Sequence, residues 1–287
     1  MATLRDIRRR ITSVKNTRKI TRAMKLVAGA KMRKAQQAAE SAQPYQQTLR
    51  TILGRVILAE DSIEHDLLIT PENEKDIVLI AISSDRGLCA SFNSQILKHL
   101  YKEIEHHRSE GKTVHLMLYG RKIVSACKKD ESLSILFTNT GANPADFDGL
   151  AKDLASQLTS LLKDKKLAKA IICYNEFESV MTQTPVSQQV LPMKLEQSEE
   201  EEYVDYIFEP GAEEILGALL PMSLQSQLLQ AFLDTEAGEQ AARMQAMDNA
   251  TRNAGDMIDK LSLEYNRARQ AAITTELIEI ISGAEAL

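Results

Sequence analysis

The chain has 287 residues, of which 44% are hydrophobic, and a formal net charge of -5. This composition provides enough apolar material for a core and excludes an intrinsically disordered protein, and the acidic average argues against a general nucleic-acid binder. Three widely spaced cysteines without a CxxC pair indicate neither a disulfide framework nor a zinc site and fit a reducing compartment best. No apolar run approaches the roughly 20 residues that a membrane span needs.

The first segment, residues 1–58, predicts one long helix. From Leu4 to Val14 the apolar residues recur at steps of three and four, which is typical of a coiled-coil seam. Residues 1–34 carry twelve Lys and Arg against one Asp, a local charge of +11. Such a charge density requires an acidic neighbour, which could be a protein or a nucleic acid.

The middle segment, residues 75–195, predicts a Rossmann-like α/β domain. Apolar runs alternate there with helical patterns, which is typical of a largely parallel sheet. The expected strands are 77–82, 114–119, 133–137 and 168–174, followed by an edge strand at 180–191. We expect helices around 92–104, near Ile123 and over 145–162.

The last segment, residues 210–287, predicts a second long helix. Its seam alternates steps of three and four over ten positions, from Met244 to Thr275, so we expect an antiparallel coiled coil with the first segment. Residues 222–287 carry ten acids against five bases and match part of the positive charge. Residues 270–287 contain no Lys or Arg, and an apolar helix end requires a socket.

Three candidate sites in the middle segment have structural explanations. Gly111-Lys112-Thr113 looks like the end of a P-loop, but His106 stands where the motif needs Gly. His106 and His107 are adjacent on a predicted helix, so we expect them to point to different faces without metal-site spacing. Asp85, in a strand-to-helix turn, would repel a phosphate, and no GxGxxG follows it. We therefore predict no catalytic residue, metal or cofactor.

Several segments resemble the gamma subunit family of F-type ATP synthases, in its bacterial form. ITTELIEIISGAEA at 273–286 looks like the C-terminal signature of that family, and IRRRITSVKNTRKITRAMKLVAGAKMRKA at 7–35 is similar to its opening helix. DRGLC at 85–89, EQAARMQAM at 239–247 and YNRARQAAIT at 265–274 extend the resemblance over essentially the whole chain. Ala90 departs from the family, in which many members carry Gly after the DRGLC turn.

The resemblance implies a rotor shaft. The coiled coil would lie inside a hexamer of three alpha and three beta subunits, and the α/β domain outside it, near the membrane ring. Rotation would couple proton or sodium ion flow to ATP synthesis, with this chain as a non-catalytic subunit. The implied partners are the alpha, beta and epsilon subunits and the membrane c-ring, without nucleic acid. The implied location is peripheral, at the cytoplasmic face of the bacterial inner membrane.

The resemblance also implies roles for particular residues, for each of which packing within the coiled coil is the alternative. The expected contacts with beta loops and the catch are Met24, Lys25, Arg243, Gln245, Arg269, Gln270 and Thr274. The expected bearing tip consists of Ile273, Leu277, Ile280 and Ile281. The expected foot, beside epsilon and the ring, includes Tyr206 and Glu209.

Two other function classes stay open at this stage. A basic coiled-coil protein could follow nucleic-acid phosphates with its first helix, as basic zipper regions do. A metabolic enzyme could use the central sheet, in which case residues 75–195 alone would bind a ligand. The apolar C-terminal end and the mid-chain α/β domain argue against the nucleic-acid binder.

Overall fold

The computed structural model describes residues 3–59, 65–69, 75–164, 166–194, 209 and 211–285. The chain divides into two compact units. One contains Met1–Gly29 and Arg243–Leu287, and the other contains Ala30–Ala242.

The described residues form five α-helices, one 3-10 helix and five strands. In chain order they are α1 (Leu4–Ala59), β1 (Asp76–Ile82), α2 (Phe92–Ser109), β2 (Thr113–Tyr119), α3 (Arg121–Cys127), β3 (Ser134–Asn139), the 3-10 helix (Pro144–Asp146), α4 (Phe147–Lys163), β4 (Lys169–Phe177), β5 (Gln183–Leu191) and α5 (Ala212–Glu285).

Every predicted helix and strand is present, and α4 and β5 are among those that begin later than expected. Pro144 opens a 3-10 turn, so α4 begins at Phe147. The edge strand begins at Gln183 because Ser179 and Thr182 exchange backbone hydrogen bonds in the turn before it. Both shifts arise from local turn geometry, which apolar periodicity does not report.

The larger unit contains a five-stranded sheet in the order β3-β2-β1-β4-β5. The first four strands are parallel, and β5 pairs with β4 in the antiparallel direction. Alternate residues of β1 lie in two hydrophobic clusters, with Ile80 in the one that includes α4 and Leu79 in the one that includes α2. A parallel sheet covered on both faces explains why the strands are apolar runs rather than alternating patterns. The prediction of a Rossmann-like domain is confirmed.

Helix α1 begins with a reciprocal cap at Thr3 and Asp6. The backbone N–H of Asp6 donates to the Thr3 hydroxyl oxygen at 3.3 Å, and the Thr3 N–H donates to the Asp6 carboxylate at 3.2 Å. These hydrogen bonds lower the pKa of Asp6. The cap satisfies N–H groups that the first turn of a helix leaves without partners.

In the smaller unit, α1 and α5 form an antiparallel pair. Lys25 contacts Asp248, with Nζ 2.6 Å from Oδ1, and the hydroxyl oxygens of Thr21 and Thr251 lie 2.8 Å apart. Residue numbers therefore fall along α1 as they rise along α5. Seam residues are buried or half-buried: Ile7 on α1 and Ile258 on α5 are buried, and Ile11 and Leu261 are half-buried. The predicted antiparallel coiled coil is confirmed.

The register leaves the end of α5 without a partner on α1. Extended at equal steps from Lys25 and Asp248, it places Leu4 opposite about residue 269. Residues 270–285 run beyond that point for about 24 Å at the usual helical rise. The predicted seam follows burial as far as the half-buried Ala272, whereas Thr275 is exposed because no partner helix covers it. We call residues 270–285 the overhang.

Candidate functional site

The start of α1 presents a basic surface. Lys25 is half-buried and bonded to Asp248, but the preceding Lys and Arg residues of the helix are exposed. These exposed residues, which we call the basic surface, are Arg5, Arg8, Arg9, Arg10, Lys15, Arg18, Lys19 and Arg22. Their charges repel one another at helical spacing, so an acidic partner would relieve an internal cost.

Lys25 and Asp248 form an ion pair between α1 and α5. The hydrogen bond from Lys25 lowers the pKa of Asp248, and the Arg252 guanidinium, 3.5 Å from Oδ2, contributes in the same direction. Sequence reasoning singled out Lys25 for an external contact and missed Asp248. In an antiparallel pair the residue numbers of two facing positions have a nearly constant sum. Once that sum is known, Lys25 identifies Asp248 as its partner.

The expected beta contacts fall into two groups by exposure. Arg243 is buried, with 8% of its surface exposed, and Gln245 is half-buried. Met24 and Lys25 are also half-buried. Arg269, Gln270 and Thr274 are exposed, and the Thr274 hydroxyl donates to the carbonyl of Gln270 at 2.9 Å. The exposed group lies at or just beyond the end of the pairing with α1.

The overhang brings the expected tip residues together on an uncovered helix. Ile273, Leu277, Ile280 and Ile281 are between 48% and 68% exposed. Sequence reasoning missed Ile278, which is 58% exposed. The sequence prediction considered a single face of the helix and therefore omitted Ile278. A helix without a partner exposes apolar side chains on more than one face. Exposed apolar side chains in such a group are typical of a binding surface.

The expected foot is only partly described. Glu209 is exposed, and Tyr206 lies outside the described residues. In the described part of the chain, no helix combines the length and hydropathy that crossing a membrane requires.

The DRGLC turn is bonded to the neighbouring backbone at the carboxyl edge of the sheet. The Asp85 carboxylate accepts hydrogen bonds from the N–H of Arg121 and the N–H of Gly141, both at 2.8 Å. Backbone amides at this edge are the donors that open α/β sheets offer to phosphate ligands. Asp85 uses two of them, which favours its interpretation as a structural turn. Leu88 and Ala90 have φ of 65° and 48°, in the left-handed region.

The two adjacent histidines at the end of α2 converge. The ring centroids of His106 and His107 lie 5.0 Å apart, and donor atoms of both rings and of Glu110 lie within 4.8 Å of one another. His106 is exposed and His107 is buried, so the two rings lie on different faces of α2 as predicted, although their donor atoms lie closer together than the sequence indicated. The absence of a metal stays a prediction. Glu110 is the C-cap residue of α2, and the carboxylate of that residue reaches both rings.

Similarity to known proteins extends over nearly the whole chain. A family model described as ATP synthase matches residues 3–287. The ATP synthase gamma chain of Pelagibacter ubique is 42% identical over 291 residues, and that of Gluconacetobacter diazotrophicus is 44% identical over 295 residues, with 100% of both chains covered in each case. A chain of the Euglena gracilis mitochondrial ATP synthase, solved with OSCP, F1 and the c-ring in rotational state 3, shares the fold. That match has a TM-score of 0.68 and 21% identity over 99% of this chain and 94% of the other.

Proposed function

This chain belongs to the ATP synthase gamma chain family, and we propose that it is the central rotor shaft of an F-type ATP synthase. In this role it couples proton or sodium ion flow through the membrane sector to ATP synthesis on the alpha/beta hexamer. One observation carries the proposal: two long helices pair in antiparallel register, and one continues past the other as an apolar overhang.

The paired part of α1 and α5 suits the transmission of torque. Polar contacts inside a coiled coil set its register, because a shifted register would leave the polar groups opposite apolar ones. Thr21 faces Thr251, and Lys25 faces Asp248. Both contacts oppose sliding of one helix along the other. A shaft that keeps its register transmits an angle without lengthening or shortening.

The overhang suits a bearing. Apolar contacts are non-directional, so a helix that makes them can turn without breaking specific bonds. Ile273, Leu277, Ile280 and Ile281, together with Ile278, supply such contacts. The last turn of α5 contains no basic residue. We propose that this tip turns in a sleeve formed by the alpha and beta subunits.

The remaining partners follow from the charges and the family. Acidic loops of the beta subunits would face the basic surface, and Met24, Lys25, Arg243, Gln245, Arg269, Gln270 and Thr274 would contribute the loop and catch contacts. Glu209 and Tyr206 would meet the epsilon subunit and the c-ring. The chain would be a non-catalytic, peripheral subunit at the cytoplasmic face of a bacterial inner membrane.

Among the proposed contacts, the structure favours Arg269 over Arg243 as a direct one. Arg269 is exposed, whereas Arg243 is buried and would act by holding α5 in position. Arg269→Ala in the reconstituted complex should lower both ATP hydrolysis and ATP-driven proton pumping, by about tenfold if one charge-assisted hydrogen bond is lost.

Arg267→Ala is the matched control, because Arg267 is exposed on the same helix and carries the same charge. Unchanged hydrolysis and pumping in Arg269→Ala would remove Arg269 from the contact set. Copurification of the chain with alpha and beta subunits tests the proposed function itself. The nucleic-acid alternative is not favoured, since the family match extends over nearly the full chain.

A further inference from the structure

The end of α2, in the larger unit, brings three metal-ligating side chains together. Nε2 of His106 lies 3.5 Å from Oε1 of Glu110, and Nδ1 of His107 lies 3.4 Å from Oε2 of the same residue. One carboxylate therefore faces two imidazole rings, with each oxygen directed at a different ring. Imidazole and carboxylate together are typical ligands of Zn²⁺ and related transition-metal ions.

His107 is the fixed member of the group. It is 5% exposed, and its Nε2 atom is buried without a hydrogen-bond partner. Oε2 of Glu103, one turn earlier on α2, lies 3.8 Å from that atom. A neutral histidine that binds a cation through Nδ1 carries its proton on Nε2, and a carboxylate commonly accepts that proton as a hydrogen bond. Glu103 can supply that acceptor once its carboxylate moves about 1 Å closer, because 3.8 Å exceeds hydrogen-bonding distance.

The electrostatic surroundings favour a cation. The cluster lies at the C-terminal end of α2, where the aligned peptide dipoles give the helix a partial negative charge. Arg108, the nearest basic residue in sequence, donates from its guanidinium to the carbonyl of Ser132 at 2.8 Å. The positive charge of Arg108 is therefore directed at the Ser132 carbonyl and not at the cluster. Glu103 and Glu110 supply the negative charge.

We propose that His106, His107 and Glu110 bind one Zn²⁺-class dication, with Glu103 as the hydrogen-bond partner of His107. Zinc ligands lie about 2.0–2.2 Å from the ion, so two tetrahedral donors are about 3.3 Å apart. The present donors lie within 4.8 Å of one another, so the most widely separated of them must close by about 1.5 Å at most. His106 and Glu110 are exposed and can move, and water completes the coordination.

Binding would stiffen the connection between α2 and β2. The N–H of Gly111 donates to the carbonyl of Arg108, and the N–H of Lys112 donates to the carbonyl of His107, both at 3.0 Å. A metal held by two residues of α2 and by Glu110 would lock the same turn through side chains. Because the ion would bind the folded turn and not the extended chain, it would raise the thermal midpoint of unfolding.

Isothermal titration calorimetry of the metal-free, full-length chain with Zn²⁺ tests this site. We expect saturable one-to-one binding, and binding at least about tenfold weaker in His106→Ala and in Glu110→Gln. Both residues are exposed, so neither variant removes core packing. Mg²⁺ should not compete, because it prefers an all-oxygen site.

Glu105→Gln is the matched control for Glu110→Gln. Glu105 is exposed on the same helix and loses the same charge, but it contributes no donor to the cluster. It should bind Zn²⁺ as the unmodified chain does. Absence of saturable binding up to about 1 mM Zn²⁺, or equal affinity in all three variants, would overturn the proposal.

Discussion

The two compact units of the chain are stabilised in different ways. In the larger unit, strands β1 and β4 are buried on both faces, and residues such as Leu79 and Ile80 have no exposed surface. In the smaller unit, each helix has one buried stripe, and that stripe includes Thr21, Lys25 and Asp248. Buried apolar area stabilises the first without demanding one register, whereas polar contacts specify the second at little gain in stability. Substitutions should therefore have large effects on folding in one unit and on pairing in the other.

The largest expected effect is in the sheet unit. Leu100 is fully buried in the cluster that joins α2 to the sheet, so Leu100→Ala should destabilise the chain by about 3 kcal/mol, through lost burial and a cavity. Leu263, on α5 in the smaller unit, is 61% exposed. Leu263→Ala should change stability by less than about 0.5 kcal/mol. Urea unfolding measures both. Equal losses of stability in the two variants would contradict the proposed difference between the units.

The next largest expected effect is a pH-dependent change in stability that arises from Asp234, a residue of the larger unit. Burial raises the pKa of Asp234 to about 6, and the charge of Glu176 adds to the increase. The folded chain therefore binds this proton more tightly than the unfolded chain does. The contribution of Asp234 to stability is therefore greatest below its unfolded pKa of about 4 and is lost as the pH rises through 6.

Replacing Asp234 with Asn removes this pH dependence. Asn keeps the shape of the side chain, whose Oδ1 accepts a hydrogen bond from Gln230 at 3.0 Å. We expect Asp234→Asn to be more stable than the unmodified chain by roughly 2 kcal/mol at pH 8, and the difference to vanish near pH 4. Thermal unfolding across this pH range measures it. A difference that grows toward low pH would contradict the assignment.

A smaller gain is expected at the DRGLC turn. Ala90 has φ of 48°, a conformation that costs a side chain about 1 kcal/mol and costs glycine much less. Ala90→Gly should therefore stabilise the chain by about 0.5 kcal/mol after the entropy of glycine is subtracted. Ala126→Gly, inside α3, should instead destabilise it by about 1 kcal/mol. If both variants lose stability in urea unfolding, the left-handed turn does not strain Ala90.

The smallest effect on stability is expected at the ion pair of the smaller unit. Because Lys25 lowers the pKa of Asp248, the contribution of the pair is present above the unfolded pKa of Asp248 and is lost as the pH falls through the folded one. A double-mutant cycle of Lys25→Met and Asp248→Asn should show favourable coupling at pH 7 that weakens with added salt. Coupling that salt leaves unchanged would point to packing instead.

The sequence predicted the helices and strands well, and it predicted their relative placement less well. Continuous apolar runs and heptad patterns arise from residues near one another in the chain, so β1, β2 and both coiled-coil seams are visible without a structure. The register of α1 against α5 joins distant residues, and with it come the exposure of Thr275 and the Lys25–Asp248 pair.

The sequence predictions were incomplete at two sites, and for the same reason. The Glu110 carboxylate, at the end of α2, reaches both His106 and His107, and Arg243 is buried although residue type alone predicts exposure. In both cases the deciding quantity is where neighbouring backbone goes. Periodicity carries the identity of a helical face but not what covers that face.

The overhang also determines what the rate of proteolysis near the end of α5 would measure. An isolated helix of this length is marginal in water, so residues 270–285 depend on α-helix propagated from the paired part. Trypsin cleaves after Lys and Arg, and Arg269 is the last such residue in the sequence. Arg269 lies about opposite the first turn of α1 by the register of the pair. Tryptic release of the C-terminal peptide would therefore measure how often the first turn of α1 separates from α5, while the overhang itself offers trypsin no site.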